Sequence, residues 1–456
     1  MLLGCCRDNL TMRNIKLTFG FLLLILSALW LFADTFQPEP LTYFSFRSVF
    51  VQYTGVIGMG MMSVAMLLAL RPKWLERPLK GLDKMYRLHK WLGITGLIFA
   101  VAHWWWAQGT KWMVGWGWLS RPERRKPTST EALTQLEQWL RSQKGLAESL
   151  GEWAFYGAVI FIVLALIKLF PYRLFKKTHK WITLPYLVLV FHSLVLIKFE
   201  YWLQPIGWVM GALLVIGTVS AFLVLAGWPR YKDKVKGVVR SLTAYPSLRV
   251  IEVTIKLEGG WAGHSAGQFA FVTSKKSEGA HPYTIASAWN PEEQTLTFVV
   301  KQLGDWTGQL DQWLEEGMPV TVEGPYGCFD FNDNSSRQIW IGAGIGITPF
   351  IAKMKDLAQS SEHLQIDLFH VTSDYDQKAI NKLIADAEAA KVRLHLTVTP
   401  KDGRLTPEQI RMLVPEWQSA SLWFCGPRAF GDAVRKDFLA NGLPATQYHQ
   451  ELFEMR

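Results

Sequence analysis

The sequence predicts a multi-domain membrane protein: a six-helix transmembrane bundle, then an antiparallel β-barrel, then an α/β domain on a parallel sheet. Three observations predict it. Six strongly apolar segments, each near the ~20 residues that cross a hydrocarbon core, all lie before residue 229. After them come short alternating strands broken by Gly and Pro turns, which suit a small antiparallel barrel. From Gln338 onward strands alternate with helical patterns, the mark of an open parallel sheet.

The predicted spans are residues 15–33, 49–70, 88–108, 153–170, 179–199 and 205–228. No small-residue cleavage site follows the first, so it reads as a span rather than a secretory signal. Orientation follows from the loops. Arg71, Lys73, Arg77, Lys80, Lys84, Arg87 and Lys90 crowd one connection, and Arg173, Lys176, Lys177 and Lys180 another, which places both in the cytoplasm. Arg7 and Arg13 in a cytoplasmic N-terminus, residues 1–14, and Arg230, Lys232, Lys234 and Lys236 after the last span agree with that side. Residues 109–150 carry Arg121, Arg124, Arg125 and Lys126 yet must lie outside; longer loops obey the rule less strictly. The Trp-rich string from Trp104 to Trp118 fits an aromatic belt at the outer interface.

Composition narrows the function classes. Half of the 456 residues are hydrophobic and 22 are Trp, high for a soluble enzyme. The net charge of +10 gathers in loops beside apolar spans, so membrane orientation explains it better than nucleic-acid binding. Cys5, Cys6, Cys328 and Cys425 form no C-x-x-C spacing and no disulfide framework.

The expected division is a transmembrane domain at residues 15–228, a barrel at 229–332 and an α/β domain at 333–456. Barrel strands are expected at 248–257 and 295–300. In the last domain the pattern gives strands at 339–341, 365–371, 393–397 and 421–424, with helices at 350–358 and 377–389.

Four histidines stand inside or at the rim of the apolar spans as two pairs matched in depth: His89 with His179, and His103 with His192. Ionisable groups at membrane depth are costly and usually functional. Separations of 14 and 13 residues correspond to about 20 Å of helix at ~1.5 Å per residue, so two facing helices would hold two irons near opposite sides of a bilayer. Two opposed imidazoles make a six-coordinate haem suited to electron transfer. Zinc does not fit, because residues 14 apart on a helix cannot converge on one ion. Fourteen residues return nearly to one helical face, whereas 13 do not; Pro185, between His179 and His192, offers a kink. Arg47 opens the second span on the outer side, suited to a haem propionate or to interfacial snorkelling.

The segment His281-Pro282-Tyr283-Thr284, running on to Ser287 after a Gly267-Gln268-Phe269 turn, resembles the flavin motif of the ferredoxin-NADP reductase superfamily. The resemblance implies that Tyr283 stacks on the isoalloxazine of FAD and Thr284 hydrogen-bonds it. Lys301 to Thr307 resembles a second flavin element, with Gly304 allowing close approach, Trp306 beside it and Thr307 reaching the pyrophosphate. Gly342, Gly344 and Gly346 lie between a strand and a helix that opens at Thr348-Pro349, the arrangement that lets phosphate approach backbone N–H groups. Cys425-Gly426-Pro427 resembles the turn beside the nicotinamide, and Phe453 the near-terminal aromatic that covers the flavin. With the membrane half added, the chain resembles the ferric reductase and NADPH oxidase family. No calcium-binding EF-hand loop or long N-terminal extension is seen, so a bacterial, unregulated member of the inner membrane is the expectation.

The resemblance implies transmembrane electron transfer from cytoplasmic NADPH or NADH through FAD and two b-type haems to an outer acceptor. Dioxygen and ferric chelates both remain open as that acceptor. So does a different class, a membrane transporter or sensor with a regulatory flavin module and a histidine proton relay. For the nucleotide, Ser373 favours a 2′-phosphate and Asp374 opposes it; Arg404, in an Asp402-Gly403-Arg404 turn, reads first as an exposed turn arginine and second as the missing positive charge, and the balance leans to NADPH.

Overall fold

A computed structural model describes residues 10–120, 134–167, 169–170, 172–227, 234–275, 277–303, 306–333, 335–362 and 364–451. The chain forms two compact units. One comprises Ile15–Pro72 and Met85–Pro229, the other Met1–Asn14, Lys73–Lys84 and Arg230–Arg456.

Among the described residues five helices in the first part of the chain are long and apolar enough to cross a membrane: Arg13–Ala33, Tyr43–Ala69, Lys144–Leu166, Lys177–Leu196 and Pro205–Ala226. The third predicted span lies on a further long helix, Leu82–Trp104, whose first half carries Asp83, Lys84, Arg87 and Lys90. Two-thirds of the most apolar window of Tyr43–Ala69 is buried, 67% against 17% to 28% for the other four, so this helix is the centre of the bundle. Its start is set by a capping box in which the Thr42 hydroxyl accepts from Ser45 N and Ser45 Oγ accepts from Thr42 N. Pro205 at the first turn and Gly227, left-handed at φ 72°, bracket the last helix.

The other unit carries two sheets. β1 (Lys234–Tyr245), β2 (Val250–Leu257), β3 (Phe269–Thr273), β4 (His281–Thr284), β5 (Thr295–Lys301) and β6 (Pro319–Tyr326) pair antiparallel in the order β4-β3-β6-β1-β2-β5. A bridge between Ile285 and Phe298 links the two edges of this sheet. Alternation along β2 and β5 sends Ile251, Val253, Ile255, Leu296, Phe298 and Val300 into one apolar core.

β7 (Arg337–Ala343), β8 (Gln365–Thr372), β9 (Arg393–Val398), β10 (Ser421–Cys425) and β11 (Tyr448–Gln450) form an all-parallel sheet in the order β11-β10-β7-β8-β9. Helices cover both faces, which explains why β7 and β10 read as unbroken apolar runs rather than alternating ones. The order reverses between β7 and β10. Ligands of open α/β sheets bind at the carboxyl ends of strands flanking such a reversal.

Candidate functional site

His89 and His103 share the helix Leu82–Trp104, and a π-helical turn, Trp105–Gly109, follows at once. His179 ends the helix Tyr172–His179, and His192 lies on Thr183–Leu196. The structure pairs them as the spacing predicts. His89 and His179 stand 6.0 Å apart between ring centroids, and His103 and His192 6.1 Å. An iron held from both sides needs about 6 Å between ring centres, given an imidazole-metal bond of ~2.0 Å on each side and about 1 Å from nitrogen to ring centre.

Hydrogen bonds also set the tautomers. Nδ1 of His89 meets Ala65 O at 2.9 Å, Nδ1 of His103 meets Val51 O at 2.9 Å, and Nδ1 of His192 meets Ala147 O at 2.8 Å. A carbonyl only accepts, so Nδ1 carries the proton and Nε2 keeps the lone pair that a metal requires. His179 differs: its Nδ1 is buried without a partner among the described residues, and its ring stacks on Phe175 at 5.0 Å. All four residues fit haem by donor type and separation, and His89, His103 and His192 also by tautomer.

A change of helix type makes up part of the mismatch in the 13-residue spacing. At ~100° per residue 13 residues fall about 140° short of a common face, and three residues at ~120° restore about 60° of that. Lys180–Ile182 is a 3₁₀ turn, between His179 and Pro185. Pro185 has no N–H for the carbonyl of Trp181, so the α ladder is broken just there.

Arg47 donates from Nε to Trp106 O at 3.0 Å and from Nη2 to Ala107 O at 3.1 Å, which ties it to the π-helical turn after His103. Two of its five N–H donors are used this way.

β4 carries His281, Pro282, Tyr283 and Thr284, with Tyr283 opposite Ala270 and Thr284 opposite Phe269 on β3. His281 stacks on Trp306 at 5.2 Å and 11°, so two separately predicted flavin elements meet. Tyr283 packs on Phe298, and burial pushes its phenol up to about 12, which keeps it a donor at neutral pH. Ser287 Oγ accepts from Thr297 N at 3.1 Å, and Thr307 Oγ1 from Leu303 N at 2.9 Å, so both hydroxyls brace loops. Lys301 pairs with Asp374 at 3.0 Å. Gly304 and Phe453 lie outside the described residues.

At the sheet reversal Gly342 is the register partner of Cys425. The turn Gly344–Ile347 is 3₁₀, and the helix Thr348–Leu357 then starts with Pro349 in its first turn. The two glycine turns are built against each other. A Cβ on Gly346 would lie 2.2 Å from the Cys425 carbonyl oxygen, and one on Gly426 would lie 2.7 Å from the Ala343 Cβ. Gly344, at φ 57°, has nothing within 4 Å of its would-be Cβ, so this is the side open to a ligand. Thr348 donates its hydroxyl to Ile345 O at 2.8 Å and fastens the turn. Pro427 precedes the helix Arg428–Ala440. Cys425 is fully buried, and burial raises its thiol, so it stays neutral.

Two acids escaped the sequence reading. Glu451 is 4% exposed beside β11, and burial, with Asp83 and Glu76 adding to it, pushes its carboxyl up to about 8. Glu76 accepts from Gly327 N at 2.6 Å. Neither lies in a recognisable motif; their burial comes from packing between segments far apart in sequence.

Residues 54–190 match the family described as ferric reductase like transmembrane component, and residues 238–330 match an FAD-binding domain. Ferric reduction oxidase 5 of Arabidopsis thaliana is 30% identical over 155 residues, covering 30% of this chain and 22% of that protein. NADPH oxidase 1 of Rattus norvegicus is 31% identical over 134 residues, 28% of this chain and 23% of its own. The glycine betaine monooxygenase reductase subunit of Chromohalobacter salexigens is 23% identical over 188 residues, 38% of this chain and 50% of its own. The chain thus spans between about a fifth and a half of the length of these relatives. A solved ferredoxin reductase of carbazole 1,9a-dioxygenase overlaps 48% of this chain and 69% of its own, at TM-score 0.42 and 19% identity. The chain therefore joins a ferric-reductase-like transmembrane component to an FAD-binding domain, and its relatives are ferric reduction oxidases and NADPH oxidases.

Proposed function

We propose that this protein is a multi-pass oxidoreductase of a bacterial inner membrane with six spans. It would pass electrons from cytoplasmic NAD(P)H, by way of FAD and two bis-histidine b-type haems, to dioxygen or a ferric chelate on the far side. The observation that carries the reading is the pair of facing imidazoles at 6.0 and 6.1 Å. When bound, nicotinamide, flavin and haem supply hydride donation, division of the electron pair and one-electron relay.

The chain's own part is positioning. His89, His103 and His192 are aimed by the carbonyls of Ala65, Val51 and Ala147, and Arg47 keeps donors for a propionate beside the outer pair. In the other unit Tyr283, Thr284 and the His281–Trp306 stack would seat the flavin, and the turns at Gly344 and Gly426 a nicotinamide nucleotide. No acid or base is needed at the outer end, because outward electron transfer to either acceptor breaks no bond to hydrogen. The test uses purified full-length protein given NADH or NADPH. Reduction of ferric citrate, or a superoxide-dismutase-sensitive reduction of cytochrome c, is expected and also separates the two acceptors; absence of both contradicts the reading.

A further inference from the structure

Beyond the site just proposed, and resting on it, the end of β8 bears on which of the two nicotinamide nucleotides the chain would take. β8 lies next to β7, whose carboxyl end opens into the Gly344 turn, and Asp374 stands two residues past the end of β8. In nucleotide-binding sheets the carboxyl end of the second strand is where the adenosine ribose is read. A carboxylate there accepts from the 2′-hydroxyl, whereas a cation accommodates a 2′-phosphate.

The structure fixes what stands at this place. The Thr372 hydroxyl donates to Asp374 O at 2.9 Å and accepts from Asp374 N at 3.2 Å, so the turn is held by its own hydrogen bonds. The Asp374 side chain is 35% exposed, accessible to a ligand, and lines a cleft with Gly344, Ile345 and Thr372. Asp376 follows and caps the next helix by accepting from Ala379 N, with Ser247 donating to its other oxygen. Two of the lysines nearby are tied to carboxylates: Lys301 is paired with Asp374, and Lys382 reaches both oxygens of Glu252 at 2.6 and 2.8 Å. Lys378 lies over the Tyr245 ring, and Lys355, which lines the same cleft, is drawn electrostatically to Asp386. Arg404 sits exposed after β9, as its turn position suggests, and does not line the cleft.

A dianionic phosphate placed here would meet the Asp374 carboxylate and would have to draw Lys301 away from it. A ribose hydroxyl would find a free acceptor oxygen. We infer that the protein uses NADH in preference to NADPH, with Asp374 as the residue that sets the preference. This reverses the leaning toward NADPH drawn from the sequence.

The experiment measures binding rather than turnover. Full-length protein in lipid nanodiscs is titrated by calorimetry with NADH and with NADPH, for the native chain and for Asp374→Ser and Asp374→Asn. Native protein is expected to bind NADH at least tenfold more tightly, and both variants to bring the two affinities within about threefold, mainly by tightening NADPH. Equal or tighter binding of NADPH by the native chain overturns the inference, as does an unchanged ratio in both variants. Failure to bind either nucleotide overturns the underlying nucleotide-site reading, and this inference with it.

Discussion

Gly151 and His192 occupy one space: a Cβ on Gly151 would fall 2.0 Å from Nδ1 of His192. The ring lies flush against the helix Lys144–Leu166, and its Nδ1 reaches Ala147 O one turn away. Helix approach and imidazole orientation are therefore one feature. Gly151→Ala must push the ring off its carbonyl or the helix off the ring. We expect haem content per chain to fall from two toward one, with the remaining spectrum that of the His89–His179 centre. Pyridine haemochrome assay of the purified variant checks this; an unchanged content of two contradicts it.

Gly346→Ala tests the nucleotide turn in the same way. Its methyl meets the Cys425 carbonyl at 2.2 Å, and backbone on both sides leaves little to yield. Forced overpacking of this kind costs about 1–3 kcal/mol. Thermal unfolding of the purified full-length protein should shift down accordingly, and NAD(P)H affinity should fall at least tenfold. Gly344→Ala, by contrast, meets no atom within 4 Å; its penalty comes from φ 57° alone.

Glu451 gives a pH dependence with a definite sign. Burial raises its carboxyl from the ordinary 4.5 to about 8, so between these values the folded chain holds a proton that the unfolded chain has released. Its contribution to stability is complete below the unfolded value and is lost as pH rises through the folded one. Melting temperature should decline from about pH 5 to about pH 8 and level off above. In Glu451→Gln this decline should flatten, apart from a part of the same sign from Glu76, whose carboxyl burial also raises. A decline as steep as in the native chain would contradict the assignment.

Much of this was legible in the sequence, for identifiable reasons. Apolar length marks a span whatever packs on it, so five of the six predicted spans lie on helices long and apolar enough to cross a membrane, and the third lies on the more polar helix Leu82–Trp104. The ends were less visible: helices begin at Leu10 rather than residue 15 and at Lys144 rather than 153, because polar residues continue a helix past the apolar stretch. Strand ends in the parallel sheet moved by one or two residues, as with β7 at Arg337–Ala343 against an expected 339–341. The histidine pairs were visible because depth follows from residue count. Their phase was not, since the 3₁₀ turn at Lys180–Ile182 depends on Pro185 acting on the turn before it. Lys301 shows the other limit: a motif gave its neighbourhood, and only three dimensions showed its pairing with Asp374.

A haem held between His89 and His179, and another between His103 and His192, would show in the dithionite-reduced minus oxidised spectrum of purified full-length protein, beside that of the His103→Ala, His192→Ala double variant. Sharp six-coordinate b-type bands with two haems per chain are expected, and about one haem and no electron delivery to an outer acceptor in the variant. Absence of those bands, or full electron transfer in the double variant, would contradict it.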